Sequence, residues 1–486
     1  MGTLLKIKIF IKNNVKSSRL AAVCVIVVIT IIGVYLLYPS HATGPYTTAE
    51  AETGVYAGGA SPASSTSASG GSYIKYASGS SSGIVDSSTI ANKFMLGFQG
   101  WFQCPTDGSP NAAWLHWFSG TPPTGPLTDF WPDVSELTLA EKCDTGLKLP
   151  NGSPAYLFSD YNAQTVLRQF QWMQQYNIDG VMLQRFASEL SDPRFLAERN
   201  QVTQNVMNAA NSTGRTFDIM YDISGQSEST LVSTIENDWT SLVNTQNVTK
   251  NAHYLHQNGK PIVVLWGFGF SGRPGTPADL TALLNFFHKN SNPALDATVM
   301  GGVDNNWRSD TTWTSTFDGF DIIAPWAVGR YAMSSAIDST SVSNWVNANT
   351  VPDLTYAKAH NLMYLPDIWP GYSFHNQNSA DPLNQDARYG GNFLWQQAYY
   401  TLLAEKNAGM PQMMYGSMFD EMNEGTALFK QATSSAMWPS NLTMVPLNTD
   451  GYTQLPSDWY LQVSGQINEM TNGTIPLSKT MTITPH

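Results

Sequence analysis

The sequence predicts an α/β fold, a TIM barrel in which eight parallel strands alternate with helices. Eight short apolar runs occur between residues 94 and 419, and amphipathic stretches separate most of them. Parallel strands need long crossover connections, which are usually helices, and a count of eight favours a closed (β/α)8 barrel. The main alternative is a doubly wound open sheet, but no glycine-rich phosphate-binding motif follows the first run.

Each predicted strand is a short run of apolar residues. In chain order the runs are Phe94–Phe98, Gly180–Phe186, Phe217–Ile223, Pro261–Phe268, Ala297–Val303, Phe320–Ala327, Leu362–Ile368 and Gln412–Phe419. The stretch Ala163–Tyr176 is typical of the connecting helices, because its apolar side chains recur at helical spacing. Helix starts are expected at Asp192–Pro193 and Thr276–Pro277, where a capping side chain precedes a proline.

The residues before the first strand predict a membrane anchor. Residues 20–38 carry no charge and are long enough to span a bilayer as a helix. Five basic residues precede this segment and the first acidic residue is Glu50, so the positive-inside rule leaves residues 1–19 in the cytosol. This predicts a single-pass type II membrane protein of the secretory pathway or the cell surface. The alternative is a signal peptide cleaved near Ala42, which would release a secreted protein.

The composition after the predicted anchor separates a linker from a folded domain, and the net charge argues against nucleic acid as a partner. Residues 39–88 are rich in Ser, Gly and Ala and predict a flexible linker, so residues 89–486 form the predicted barrel domain. Acidic residues number 37 against 25 basic ones, and nucleic acid is therefore not expected as a partner. We expect a monomer that is held at the membrane by its anchor.

Cysteines and glycosylation sequons agree with an oxidising, extracytoplasmic location. Cys104 and Cys143 are the two cysteines outside the predicted anchor, and a disulfide between them is favoured over metal binding or nucleophilic catalysis. Sequons for N-glycosylation occur at Asn151, Asn211, Asn247, Asn441 and Asn472.

Polar and aromatic side chains cluster just after the predicted strands, at the end of the barrel where active sites lie. The candidates for substrate binding are Gln99, Trp101, Tyr221, Asp222, Trp266, Trp326, Asp367, Trp369 and Asp420. Tryptophan rings can stack on the flat apolar faces of sugars, although each ring could equally belong to the core. The aspartates could bind sugar hydroxyls or make structural hydrogen bonds.

Charged side chains near the strands leave further alternatives open. Arg185 and Arg330 could orient carboxylates or bind an acidic sugar, and a structural ion pair is the alternative for each. His253 and His256 have the spacing of metal ligands, but they precede the fourth strand, at the opposite end of the barrel from the expected site. We therefore expect no metal and no organic cofactor.

The segment Ser417–Thr426 has the strongest catalytic signal, because it places Glu421 and Glu424 three residues apart after the eighth strand. Two close carboxyls can differ in pKa, so that one is protonated while the other is ionised. Glycosidic hydrolysis needs this division, with an acid for the leaving oxygen and a second carboxylate to assist. Capping of a following helix and calcium binding are the structural alternatives.

Three segments resemble glycoside hydrolase families 71 and 99 and the 71/99-like proteins related to them. Residues 417–426 resemble the eighth-strand motif Phe-Asn-Glu-Trp-x-Glu-Gly-Thr, which carries the catalytic carboxylates. Residues 97–102 resemble the first strand and residues 259–267 the fourth-strand signature, in the same order. The resemblance extends from about Phe94 to Lys430. It points to the endo-α-mannosidases of family 99 and the α-1,3-glucanases of family 71, and to relatives labelled xylosidases or arabinosidases.

The resemblance implies a role for each glutamate. Glu424 matches the general acid/base, and Glu421 matches the carboxylate that takes a proton from the substrate's 2-hydroxyl, giving a 1,2-anhydro sugar and net retention. Three neighbours depart from the pattern, since Asp420 replaces Asn, Met422 replaces Trp and Asn423 replaces His or Gly. The missing tryptophan removes a stacking wall, so the mannose specificity of family 99 does not transfer directly. Asp420 adds a third carboxyl that could raise a neighbouring pKa.

We therefore predict a retaining, endo-acting glycoside hydrolase that cleaves a mannan- or glucan-type polysaccharide or an N-glycan. The alternative from another class is a catalytically inactive barrel that binds carbohydrate. A glycosyltransferase is disfavoured because no Asp-x-Asp motif occurs in a suitable loop.

Overall fold

The computed structural model describes residues 60–64, 72–76 and 83–484. The predicted membrane anchor and the cleavage site near Ala42 lie outside these residues. Within the described ranges, none of the helices has the length and apolar character needed to cross a bilayer. In the predicted linker, β1 (Ala60–Ser64) and β2 (Ser72–Tyr76) pair as an antiparallel two-stranded sheet.

Strands and helices alternate through most of residues 83–484. The strands are β3 (Phe94–Phe98), β4 (Lys142–Lys148), β5 (Pro154–Phe158), β6 (Gly180–Phe186), β7 (Thr216–Asp222), β8 (His256–Gln257), β9 (Lys260–Trp266), β10 (Thr298–Asp304), β11 (Ile322–Trp326), β12 (Met363–Tyr364), β13 (Asp367–Ile368) and β14 (Met414–Gly416). The α-helices are α1 (Ala163–Gln175), α2 (Pro193–Thr213), α3 (Leu231–Asn244), α4 (Pro277–His288), α5 (Thr314–Phe317), α6 (Thr340–Trp345), α7 (Val351–Ala359), α8 (Asn392–Ala408) and α9 (Trp459–Thr471).

One curled parallel sheet organises this part of the chain. Its strand order is β12-β11-β10-β9-β7-β6-β3-β14-β13, and every neighbouring pair along this order is parallel. All eight predicted strands lie in this sheet, so the predicted α/β class with parallel strands is confirmed. The hairpin of β4 and β5 is separate, and β8 pairs antiparallel with β9.

The two segments at the ends of this order belong to one short stretch of chain. β12 pairs with β11, and β13 pairs with β14. Between them lie Leu365 and Pro366, and proline has no backbone N–H to donate to a ladder. The stretch that was predicted as the seventh strand therefore forms two short strands, one at each end of the strand order, and the structure shows a curled parallel sheet.

The inner face of the sheet is rich in methionine. Strand side chains alternate between the two faces, and the inner ones form a cluster distinct from the larger one between sheet and helices. The buried methionines of the inner cluster are Met95, Met182, Met220, Met300 and Met413. Gly97 leaves room for Tyr415 on this face, because a Cβ at Gly97 would lie 2.1 Å from the Tyr415 hydroxyl oxygen.

The capping residues begin helices where the sequence predicted. The Asp192 side chain accepts a hydrogen bond from Arg194 N, and Pro193 is the first residue of α2. Thr276 and Asp279 form a reciprocal capping box at the start of α4. These caps satisfy backbone N–H groups that have no partner within the helix.

The long connection after β3 is fastened to β4 by a disulfide between Cys104 and Cys143, which confirms the predicted pairing. All five sequon asparagines are exposed, and their glycosylation stays a prediction. They are Asn151, Asn211, Asn247, Asn441 and Asn472.

Candidate active site

Glu421 and Glu424 lie in a tight loop after β14, at the carboxyl ends of the sheet strands. Phe419 N donates to Gly97 O at 2.8 Å, which ties this loop to β3. Thr426 N donates to Glu421 O at 3.0 Å, so the chain reverses around the two glutamates. No α-helix begins before residue 459 in the described chain after β14. The alternative that the glutamates cap a following helix is therefore wrong.

The Glu421 carboxyl is buried and held by three hydrogen bonds. Its Oε2 accepts from Gln99 Nε2 at 2.8 Å, and its Oε1 accepts from the backbone N–H groups of Asn423 at 2.7 Å and Glu424 at 3.1 Å. Burial, followed by the charges of Glu424 and Asp420, raises the pKa of Glu421, and two of these hydrogen bonds oppose the shift. The carboxyl therefore has a fixed orientation beside Glu424.

The Glu424 side chain is half-buried, and no protein group within residues 83–484 donates a hydrogen bond to its carboxyl. Burial is the main cause that raises the pKa of Glu424 to about 7. The charge of Asp222 acts in the same direction, and the charge of Arg273 acts against it. A carboxyl with this pKa is protonated in a large share of molecules at neutral pH, as a general acid requires.

Asp222 and Asp367 are within electrostatic reach of Glu424. We use the term mouth for the carboxyl ends of the strands around Asp222, Trp266, Asp367 and Glu424. Burial is the main cause that raises the pKa of Asp222 to about 6 and that of Asp367 to about 7. Both Asp367 oxygens accept protein hydrogen bonds, from Ser417 Oγ at 2.6 Å and from a backbone N–H at 2.9 Å. Asp367 therefore braces the loop of the glutamates.

Asp420 supports the site and does not face the mouth. Its side chain is fully buried. Its Oδ1 accepts from Gln99 N at 2.8 Å and its Oδ2 from Gly100 N at 2.9 Å. Arg199 Nη1 donates to Gln99 O at 3.2 Å on the same turn. The structure corrects the assignment of Asp420 to substrate binding, because both oxygens are used to fix the turn that presents Gln99 to Glu421.

Three of the predicted tryptophans reach the mouth or its edge. Trp266 ends β9 and Trp326 ends β11, the two strands on either side of β10, and their ring centroids are 5.4 Å apart. Trp101 is half-buried and stacks on the His116 ring at 3.7 Å. Burial, followed by the charge of Arg199, lowers the pKa of His116 to about 3, so this ring is neutral. The three tryptophans remain candidates for contact with a sugar.

Two other aromatic candidates lie in the core. Tyr221 precedes Asp222, so strand alternation sends its ring to the outer face, where the hydroxyl donates to Asp238 Oδ2 at 2.7 Å. Trp369 is fully buried, and its ring centroid is 5.3 Å from that of Phe393. The structure therefore corrects the assignment of both residues to substrate binding.

Arg185 and Arg330 both form ion pairs, which was the structural alternative for each. Arg185 Nη2 is 2.5 Å from Asp238 Oδ1 in the outer layer, and both side chains are buried. Arg330 Nη2 is 3.3 Å from Asp304 Oδ2, and in this pair the Arg330 side chain is exposed while that of Asp304 is partly buried.

Sequence reasoning missed two residues of the site. Arg273, in the loop after β9, is the cation whose charge acts on Glu424 and Asp222. The glycine-rich segment that contains Arg273 directly follows a predicted strand. Residues at such positions lie at the end of the sheet where active sites are found, so the sequence could have pointed to Arg273. Asn423 was treated only as a departure from the motif. Its Nδ2 donates to His116 O at 2.7 Å and to another backbone oxygen at 2.9 Å, which fastens the glutamate loop to the long connection after β3.

No protein-family model matches the sequence, and no curated protein is significantly similar to it. Among solved structures, the chain is similar to the GH99 endo-α-mannosidase from Bacteroides thetaiotaomicron in complex with Bis-Tris-propane. The TM-score is 0.56 at 14 % sequence identity, over 79 % of this chain and 99 % of that one. A second structure of the same enzyme gives a TM-score of 0.55 at 13 % identity, over the same shares of both chains.

The chain has the fold of the GH99 endo-α-mannosidase. The match spans nearly the whole of that enzyme, so the fold that the three motifs implied is confirmed. An identity of 14 % carries no information about individual site residues. The chemistry must therefore follow from the geometry of the mouth.

Proposed function

We propose that the protein is a glycoside hydrolase in which Glu424 is the general acid/base and Glu421 is its partner. One observation carries the proposal: a buried carboxyl held by three hydrogen bonds lies beside a half-buried carboxyl that accepts none from residues 83–484. The pKa of Glu424, about 7, makes a proton available at neutral pH. Its carboxyl is free to approach a leaving oxygen, and the similarity of fold to a glycoside hydrolase supports the proposal.

We extend the proposal to a retaining mechanism. Glu424 gives its proton to the glycosidic oxygen as the bond from that oxygen to C1 breaks. Glu421 takes the proton of the 2-hydroxyl, and that oxygen bonds to C1 to form a 1,2-anhydro sugar. Water then attacks C1 and loses a proton to Glu424, while the C1–O2 bond breaks and O2 recovers its proton from Glu421. Two inversions at C1 give net retention.

The orientation of Glu421 suits this step. A base must lie in a fixed position relative to the proton that it removes, and the hydrogen bonds from Gln99 and the loop backbone fix this carboxyl. The raised pKa of Glu421, caused first by burial and then by the charge of Glu424, makes it a stronger base than an exposed glutamate.

The substrate that we propose is a mannan- or glucan-type polysaccharide or an N-glycan, cleaved within the chain. The tryptophans at the mouth favour a sugar ligand, and the GH99 endo-α-mannosidase has the same fold. Met422 is fully buried where the motif of that family has tryptophan, so a stacking wall is absent from this position. The predicted anchor and the exposed sequons favour action outside the cytosol by a membrane-attached monomer.

The test is a screen of the detergent-solubilised full chain against mannans, glucans and N-glycans, with released reducing ends as the readout. We expect product with a retained anomeric configuration from the wild type and none from Glu424→Gln. Glu228→Gln is the matched control, because Glu228 is an exposed glutamate in the loop after β7. Equal product release by the wild type and Glu424→Gln would contradict the assignment. Oligosaccharide binding without hydrolysis would favour the inactive carbohydrate-binding barrel.

A further inference from the structure

Arg273 lies in a loop that is fixed at both ends. Gly267 begins the loop with φ of 114°, a conformation that favours glycine, and its N–H donates to Gly302 O at 3.0 Å. The loop ends at Thr276, whose capping box begins α4. Between these points the Arg273 guanidinium lies 5.7 Å from the ring centroid of Trp266, within cation–π distance. The fold therefore presents this side chain at the mouth.

Arg273 differs from the other arginines in its partners. Within residues 83–484, each of the other eight arginines donates a side-chain hydrogen bond to a carboxylate or a backbone oxygen. These eight are Arg168, Arg185, Arg194, Arg199, Arg215, Arg308, Arg330 and Arg388. In the same range, the Arg273 guanidinium has no hydrogen bond and no ion pair within 4.0 Å, and the side chain is exposed. Its donors are free to bind a ligand.

The position of Arg273 relates it to the proposed acid. Its charge lowers the pKa values of Glu424 and Asp222, although burial is the larger cause and raises both. The guanidinium also lies over the ring of Trp266, the last residue of β9 at the mouth. A sugar held beside Glu424 would therefore have one unpaired guanidinium within reach. Guanidinium groups bind carboxylates and phosphates through two parallel hydrogen bonds, which neutral hydroxyls match poorly.

We propose that Arg273 is a specificity-determining residue that binds an anionic group, a carboxylate or a phosphate, on the sugar held next to Glu424. This inference rests on the proposed glycoside hydrolase function and narrows its substrate to a charged glycan. Trp266 lies under the guanidinium and limits its movement. The ring centroids of Trp266 and Phe270 are 4.6 Å apart, so Phe270, which lies in the same loop as Arg273, adds an apolar surface next to the charge.

The experiment measures binding and hydrolysis separately. Binding is measured by calorimetry on the full chain carrying Glu424→Gln, so that the probe is not consumed. The probes are a uronic-acid oligosaccharide with its carboxyl-reduced form, and a phosphorylated manno-oligosaccharide with its dephosphorylated form. We expect at least one charged probe to bind about tenfold more tightly than its neutral partner. The pair that shows this preference identifies the anion, and added salt is expected to weaken it.

The preference must depend on Arg273. Adding Arg273→Gln is expected to abolish it, whereas adding Arg330→Gln is expected to leave it, because Arg330 already pairs with Asp304. Thermal unfolding of each variant checks that it is folded. A preference that survives Arg273→Gln, or no preference for either charged probe, would overturn the inference. Hydrolysis of a neutral glycan that depends on Glu424 would leave the proposed function intact in that case, so the two failures are distinguishable.

Discussion

Carboxyls at the mouth and carboxyls in the layer between sheet and helices have different partners. In the outer layer, Asp238 is 2.5 Å from Arg185, and in the connection before β4, also away from the mouth, Glu141 is 3.2 Å from Arg168. Burial raises the pKa of Glu141, but hydrogen bonds from Arg168 and Thr138 outweigh it and lower the pKa. Within residues 83–484, Glu424 has no such partner, and its pKa rises to about 7.

The difference indicates which carboxyls serve stability and which serve chemistry. A buried carboxylate paired with a cation stays ionised and holds two elements together. Burial without a cation raises the pKa of a carboxyl towards neutral pH or above it, so that the group can exchange a proton with a substrate. The same residue type therefore has two uses in one fold, and substitution of each group should separate them.

The largest expected effect is on catalysis at the mouth. Glu421→Gln is expected to lower kcat by about a hundredfold to ten-thousandfold, because an amide cannot take the proton of the 2-hydroxyl. The free energy of unfolding should not fall, since the substitution removes a buried ionisable group. The measurements are steady-state kinetics and urea unfolding. If Glu421→Gln unfolds the protein, or leaves kcat within a few-fold, then Glu421 belongs with the structural carboxyls.

The second effect is on stability in the outer layer. Asp238→Ala is expected to lower the free energy of unfolding by about 3–5 kcal/mol, because it leaves the buried Arg185 without its carboxylate. It also removes the acceptor of the Tyr221 hydroxyl. Urea unfolding gives the value. The matched control is Asp304→Ala at the partly exposed pair with Arg330, for which a loss of about 0–1 kcal/mol is expected. Equal losses from the two substitutions would show that burial does not determine how much an ion pair contributes to the free energy of unfolding.

A third prediction concerns Asp218, a fully buried carboxyl on β7 with no hydrogen-bond partner in the described chain. Burial raises the pKa of Asp218. A raised folded-state pKa means that the native state binds the proton more tightly than the unfolded state. The stabilisation from this proton is complete at pH below the unfolded pKa and is lost as the pH rises towards the folded pKa.

Asp218→Asn removes this dependence. The variant is expected to have a higher free energy of unfolding than the wild type at pH 7, because Asn needs no proton to stay neutral when buried, and the gain is expected to be smaller at pH 4. Urea unfolding at both pH values measures the difference. Asp192→Asn, an exposed carboxylate paired with Arg194, is the control. The same difference at both pH values would show that Asp218 does not titrate between them.

The smallest expected effect is a shift in the pH profile. If Glu424 must be protonated to act, kcat/KM on a neutral glycan falls as the pH rises through about 7. Arg273 lowers the pKa of Glu424, so Arg273→Gln is expected to move this limb to higher pH by a fraction of a unit. Arg330→Gln serves as the control with no shift. A movement to lower pH would mean that the titrating group is not Glu424.

Local patterns in the sequence were sufficient for the strands and helix starts. The apolar runs that predict β3, β6, β7, β9, β10, β11 and β14 all lie in the sheet. The seventh run became two short segments because Pro366 cannot donate to the ladder. The caps at Asp192 and Thr276 were readable because their hydrogen bonds reach only a few residues along the chain. The disulfide between Cys104 and Cys143 could be predicted because these are the two cysteines outside the predicted anchor.

The hydrogen-bond partners of the site residues could not be predicted from local sequence patterns. Gln99 contacts Glu421 across 322 residues of sequence, and its backbone N–H binds Asp420 across 321. Tyr221 and Asp222 are neighbours with similar polar signals, yet strand alternation places one in the core and the other at the mouth. Composition after a strand therefore identifies the end of the sheet at which the site lies, and not the direction of each side chain.

The sequence by itself determined the parallel α/β architecture, the disulfide and the two glutamates as the candidate pair. Only the tertiary structure decided that Asp420 braces the turn of Gln99, that Trp369 is core, and that Arg273 lies near Glu424 without an ion pair in residues 83–484. The physical reason is the separation along the chain over which each effect acts. Backbone periodicity and capping act over a few residues, whereas burial and charge at the mouth depend on which distant strands the sheet makes neighbours.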